Sequence, residues 1–151
     1  IVDEGNAGGS SLLSEVFAFE VLSRCEDAVL LKTETEITYT DVGGKKTDLL
    51  VTIAGIKWGV SVTRAVGFPR EDPYTVERAG ELLEQKLSGV VSSTANVTAE
   101  DAWSRQILHI IAYGSEHLAS LESAFVLLDD DIRSNTVVWV TVSDGDDGFL
   151  Y

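Results

Sequence analysis

The stretch "GIKWGVSVTRAVGF", residues 55–68, decides how this chain is read. Its even positions run Trp58, Val60, Val62, Arg64 and Val66, and its odd positions run Lys57, Gly59, Ser61, Thr63 and Ala65. An alternation of period two places these sets on opposite faces of a β-strand. One face is mainly apolar. The other carries a glycine and two hydroxyls, and what that face holds is the question the sequence poses.

Just upstream, "TDLLVTIAG" is the other arm of a hairpin that turns about Gly55. "DVGGKK" supplies an earlier turn. Before it, Leu31, Thr33, Thr35, Ile37 and Tyr39 alternate with Lys32, Glu34, Glu36 and Thr38, which predicts a strand with one wet face. "SSLLSEVFAFEVLSRC" has apolar residues at 12, 13, 16, 17, 19, 21 and 22, a helical stripe with Ser10 or Ser11 as its cap. Residues 1–9 are expected as a flexible leader, with residues 10–151 forming one domain.

Downstream, Asp72 is the expected cap and Pro73 the first residue of a helix. Its inner side is Val76, Ala79, Leu83, Leu87 and Val90. "SSTANVTAED" reads as a polar loop and "SRQILHIIAY" as a buried strand, with a short helix as the alternative. Gly114 and Ser115 open a helix with Leu118, Leu121, Phe125 and Leu128 at helical spacing, and "NTVVWVTV" closes the domain as a core strand. The order αβββαβαβ predicts an α/β fold, a central mixed sheet flanked by helices.

At 151 residues the chain is long enough for one sizeable core. A single cysteine, Cys25, rules out an internal disulfide and favours an intracellular, reducing location. No apolar run approaches the ~20 residues of a membrane helix, so no membrane partner is expected. The sequence starts at Ile1 and contains no methionine, which marks it as a processed product or an excised piece. Asn96-Val97-Thr98 matches a glycosylation sequon. The net charge of −14 argues against broad nucleic-acid binding. Residues 45–70 differ: Lys45, Lys46, Lys57, Arg64 and Arg70 face one acid, Asp48. That segment is net +4 on an otherwise acidic body, a local basic cleft open to an anion such as nucleic acid.

The element order, with Asp48 on "KKTDLLVTIAG" and the polar face of "GVSVTR", resembles the PD-(D/E)xK nuclease superfamily over about residues 10–143. The resemblance implies metal ligands from Asp48 and from a first-helix acid, Glu15 or Glu20. It also implies a glutamate and a lysine on the third strand, where this chain has Ser61 and Thr63. Magnesium, the implied cofactor, prefers hard oxygen ligands, and a neutral serine is a poor replacement for a carboxylate. Losing the lysine removes a charge often worth ~3 kcal/mol in the transition state. The implied function is therefore a nuclease-like domain that has lost catalysis and acts in recognition or scaffolding. One alternative is a divalent-metal phosphodiesterase with a displaced lysine, Lys46 first and Lys86 second. The other is an acidic module that engages a basic protein partner.

Weaker signals surround these. Lys57 lies four residues from Ser61, about 13 Å along a strand. Arg64 is on the opposite face. His109 and His117 read as structural, Asp129-Asp130-Asp131 as a solvated helix C-terminus, and "SDGDDGFLY" as an acidic tail. Phe19, Trp103 and Phe149 are expected to extend an apolar patch.

Overall fold

The computed structural model describes residues 2–67 and 72–150, apart from the side chains of residues 2–11 and 149. Arg70, counted in the basic segment, and the Phe149 side chain lie outside the described residues. Helix α1 (Val2–Glu26) is followed by strands β1 (Val29–Thr33), β2 (Leu49–Ile53) and β3 (Ile56–Ala65). Then come α2 (Val76–Asn96), β4 (Arg105–Ala112), α3 (Ser115–Phe125), the short α4 (Asp130–Arg133) and β5 (Thr136–Val142), with a last 3₁₀ turn at Gly148–Leu150. The five strands form one sheet in chain order. β1, β2 and β3 are antiparallel neighbours, and β3, β4 and β5 run parallel. Parallel neighbours need a crossover, which α2 and α3 provide. The expected α/β architecture is the one observed.

The β2–β3 hairpin turns through Ala54 and Gly55, whose φ values of 51° and 77° are both left-handed. Such a turn matches the twist of the flanking strands, and Gly55 adopts it without a Cβ penalty. The alternation along β3 then divides the core. Val60 packs with Leu22 of α1, with Leu49 and Val51 of β2, and with Ile107 of β4 on one face. On the other face Leu83 and Leu87 of α2 meet Leu108 and Ile110 of β4 and Leu121 of α3. β4 is buried from Gln106 to Ala112 because helices cover both its faces, so its sequence reads as an apolar run rather than an alternation.

Several expected boundaries move. α1 starts at Val2, so residues 2–9 are helical and Ser10 and Ser11 lie within the helix rather than at its cap. Its buried line is Ser14, Ala18 and Leu22, four apart, while Leu12, Leu13 and Val16 face outward. β1 stops at Thr33 because the Glu36 carboxylate accepts hydrogen bonds from the Thr33 N–H and hydroxyl, both at 2.9 Å, and closes a turn. α2 starts three residues after Pro73: Thr75 caps it, its Oγ1 accepting from the Arg78 N–H. The same helix runs on through Asn96, where a loop is expected; within it the Ser93 and Thr94 hydroxyls satisfy themselves on the Val90 carbonyl instead of competing for the backbone of a loop. Asp129 sits at the N-cap of α4, with Asp130 and Asp131 in its first turn. Their charge therefore favours the helix dipole instead of opposing it. Trp103 is buried beside Ile37 and Leu50 and so forms no surface patch.

A buried ion pair fastens the β1 edge. Asp101, 3% exposed, accepts from the Lys32 ammonium at 2.9 Å and from the Thr38 N–H and hydroxyl at 2.8 Å each. Burial alone would raise its pKa, but these donors hold it down at about 2. A carboxylate with a depressed pKa contributes stability above its unfolded pKa and loses it as pH falls through the folded one. Asp101→Asn is thus expected to lower the melting temperature at pH 7, with the gap to the native chain narrowing as pH falls from about 4 toward 2. Thermal melts across that range check it. A gap independent of pH would assign the loss to packing alone.

Candidate functional site

β2 and β3 part just before Leu49, and the residues there serve both structure and site. Leu49 pairs with Val60, the last pair of the ladder. The Asp48 N–H donates to the Val60 carbonyl at 3.1 Å, and Asp48 Oδ2 accepts from the Val62 N–H at 2.7 Å. The carboxylate thus takes a ladder donor that would otherwise lose its partner as the strands separate. Thr47 Oγ1 donates to the Val60 carbonyl at 2.9 Å and lies 3.2 Å from Ser61 Oγ. The Thr47 N–H donates to the Tyr39 hydroxyl at 2.9 Å, so Tyr39 braces the approach to β2.

This end of the hairpin opens into a cleft of about 230 Å³. Asp48 and Ser61 line it from the strands, Lys45 and Lys46 from the turn before β2, and Gln85 and Lys86 from α2. Lys46 Nζ stands 5.9 Å from the Tyr39 ring centroid, a cation–π distance. Burial pushes the Asp48 carboxyl up to about 7, against the pull of the Val62 N–H. Glu15 of α1 pushes it further up, and Lys86 draws it back. Near neutral pH this carboxyl therefore shares its time between acid and carboxylate. Perturbation of this kind by burial and charged neighbours is common where a group meets a ligand.

The expected site residues are only partly brought together. Asp48, Ser61, Lys46 and Lys86 share the cleft, and Glu15 is within electrostatic range of Asp48. Thr63 lines a separate, smaller cleft of about 120 Å³ with Ser14 and Arg64. Glu20 is exposed and bonds Arg24 at 3.4 Å, one turn along α1. Lys57 donates to the Glu100 carbonyl at 3.1 Å, at the far end of the strand. His109 is fully buried, with Nε2 2.8 Å from Thr141 Oγ1, and burial lowers its pKa to about 4.

Asn96 is a residue that the linear reading assigns only to a sequon. Its side chain accepts from the Asp41 N–H at 2.8 Å and donates to the Asp41 and Lys45 carbonyls at 2.9 and 3.0 Å. It fixes the turn that presents Lys45 and Lys46. An asparagine after a helical stretch and opposite a "GG" turn is the only signal, and it does not specify the partner.

The groups around Asp48 are a mixed set. Asp48 already accepts from Val62, Ser61 and Thr47 are neutral hydroxyls, and Lys86 brings positive charge. Among the described residues, no group of three or more His, Cys, Asp or Glu side chains is arranged to hold a metal. Nor, among the described residues, is any helix long and apolar enough to cross a membrane.

The class defined by fold and site is an α/β domain, its five-stranded mixed sheet flanked by helices, with a lysine-rimmed cleft around one half-buried acid. No known family profile matches the chain. It is 41% identical over 146 residues to a Dictyostelium discoideum protein described as the AAC-rich mRNA clone AAC4 protein. The match covers 93% of this chain, which spans 21% of that relative's length. Among solved structures it is similar to Pyrococcus furiosus SfsA in complex with Ca2+, at a TM-score of 0.42 and 13% identity. That match covers 91% of this chain and 57% of the other.

Proposed function

We propose that this is a nuclease-like domain without hydrolytic activity, whose cleft binds the phosphate backbone of a nucleic acid. The observation that carries the reading is the meeting of Lys45, Lys46 and Lys86, from two distant segments, around Asp48 and Ser61. Three flexible ammonium groups supply phosphate contacts. The third-strand positions that a hydrolytic site would fill with a glutamate and a lysine hold Ser61 and Thr63. Without a second ligating carboxylate in the cleft, little is left to stabilise the charge that develops during phosphoryl transfer. The acidity of the remaining surface confines binding to this cleft and makes it weak at high salt.

A labelled 20-nucleotide DNA or RNA strand, followed by anisotropy between 50 and 200 mM salt, tests this. Binding should weaken with salt, and Lys86→Ala or Lys46→Ala should each reduce the log–log slope by about one. No binding at 50 mM salt would end the proposal. A magnesium titration run alongside addresses the alternative of a metal-dependent phosphodiesterase using Asp48, Glu15 and Lys46. Saturable magnesium binding that disappears in Asp48→Ala, together with strand cleavage, would favour that enzyme.

A further inference from the structure

The two edges of the sheet are protected very differently. On β1, Lys32 is bonded to Asp101, and the register with β2 shifts between Leu30 and Lys32. A charge and a bulge are both devices that keep an edge from pairing with another chain. β5 has neither. Its sequence, TVVWVTV, contains no charge and no proline, and its seven pairs with β4 run without a shift. Among the described residues no strand pairs with its outer side. Alternate residues of such a strand direct their N–H and C=O groups outward, ready for another strand.

Beside this edge lies a groove of about 290 Å³ between β5 and α3. Val138 and Val140 line it from the strand, and Leu118, Leu121 and Phe125 from the helix. The valines are two apart and so share a face, while the helix residues recur at three or four. That spacing suits the alternate side chains of an extended chain laid along β5. Val126 and Leu127, 70% and 77% exposed, follow the groove residue Phe125 in the chain. Among the described residues, Glu122 is the one charged residue lining the groove. Nearby, Arg133 stands 5.5 Å from the Phe125 ring centroid and pairs with Asp130, and Asp129 and Asp131 add further negative charge after α3. A second copy of a chain with net charge −14 is repelled, whereas a basic segment is attracted.

We propose that this groove receives an extended segment of a partner protein, which adds to β5 as a sixth strand. Its alternate apolar side chains seat against α3, and a lysine or arginine meets Glu122. This surface is separate from the lysine cleft and does not depend on what the cleft binds.

The test uses the 151-residue chain and a capped heptapeptide of alternating lysine and valine, followed by amide chemical shifts. Shifts concentrated in β5 and α3 are expected, with loss of binding when alternate peptide nitrogens are methylated and the ladder bonds cannot form. Glu122→Lys, at an exposed position, should weaken the lysine peptide about tenfold and admit its glutamate counterpart. An unchanged amide spectrum away from residue 122 verifies that the variant folds. Shifts spread over the acidic surface, or equal binding by the methylated peptide, would overturn the proposal. So would indifference to Glu122→Lys, no binding at millimolar peptide, or β5 protection that grows with protein concentration alone, which would make a second copy the occupant.

Discussion

Asp48→Asn is expected to make the domain more stable at pH 8 than the native chain, and equally stable near pH 4. Burial raises the native carboxyl to about 7 from an ordinary value of 3.8. Below about pH 4 the group is protonated in both folded and unfolded chains, and its neutral form is buried without ionic penalty. As pH rises toward 7, the unfolded chain releases the proton while the folded chain retains it, so stability falls and then levels out. A shift of that size corresponds to at most on the order of 4 kcal/mol, or roughly 10 °C in the melting temperature of a domain this long. An asparagine oxygen still accepts from the Val62 N–H and carries no charge for Glu15 to oppose. Denaturant titrations of both chains from pH 4 to 8 measure the divergence. Parallel curves would mean that Asp48 ionises as an ordinary surface acid. A native residue that weakens its own fold at neutral pH is what a ligand-binding role would retain.

Gly59→Val should be the most damaging single change on the hydroxyl face of β3. A Cβ at residue 59 would lie 2.5–2.8 Å from three atoms of the Trp103 indole. That ring is 7% exposed, and its Nε1–H donates to Thr94 Oγ1 at 3.0 Å, so it has little room to withdraw. Overpacking of a well-filled site costs about 1–3 kcal/mol, and displacing the ring would add the loss of its hydrogen bond and burial. We expect about 3 kcal/mol or more, read as a lower denaturation midpoint and a red shift of tryptophan emission. The same substitution in a Trp103→Ala background should cost much less, because the opposing ring is gone. Additive losses would show that Gly59 matters for backbone conformation and not for the indole.

These two results bear on the question raised by the polar face of β3. Its residues serve three purposes. Gly59 makes room for Trp103, Ser61 joins the Thr47 hydroxyl at the mouth of the lysine cleft, and Thr63 lines a separate pocket. Of that face, Ser61 alone belongs to the proposed binding site, beside Asp48 and the three lysines. The nuclease-like reading thus assigned one chemistry to a face on which packing accounts for part of the pattern.

The sequence by itself determined the order of the main elements apart from the short α4, the type of every strand except β4, which also admitted a short helix, the hairpin about Gly55 and the helical crossovers between the parallel strands. Each is encoded locally: residue type alternates along β3, buried positions recur every three or four residues in α2, and Gly55 takes a left-handed conformation that most residues avoid. The same locality misplaced the ends. Glu36 stops β1, Thr75 starts α2 and Asn96 holds the lysine turn, each through a side-chain hydrogen bond that periodicity does not report. The site itself was decided by tertiary structure. Asp48, Ser61 and Lys86 are separated by 13 and 25 positions in the chain, and only the β2–β3 register and the seating of α2 on the sheet bring them into one cleft. The partial proton on Asp48 has the same origin, because burial and the charges of Glu15 and Lys86 are properties of assembled helices and strands.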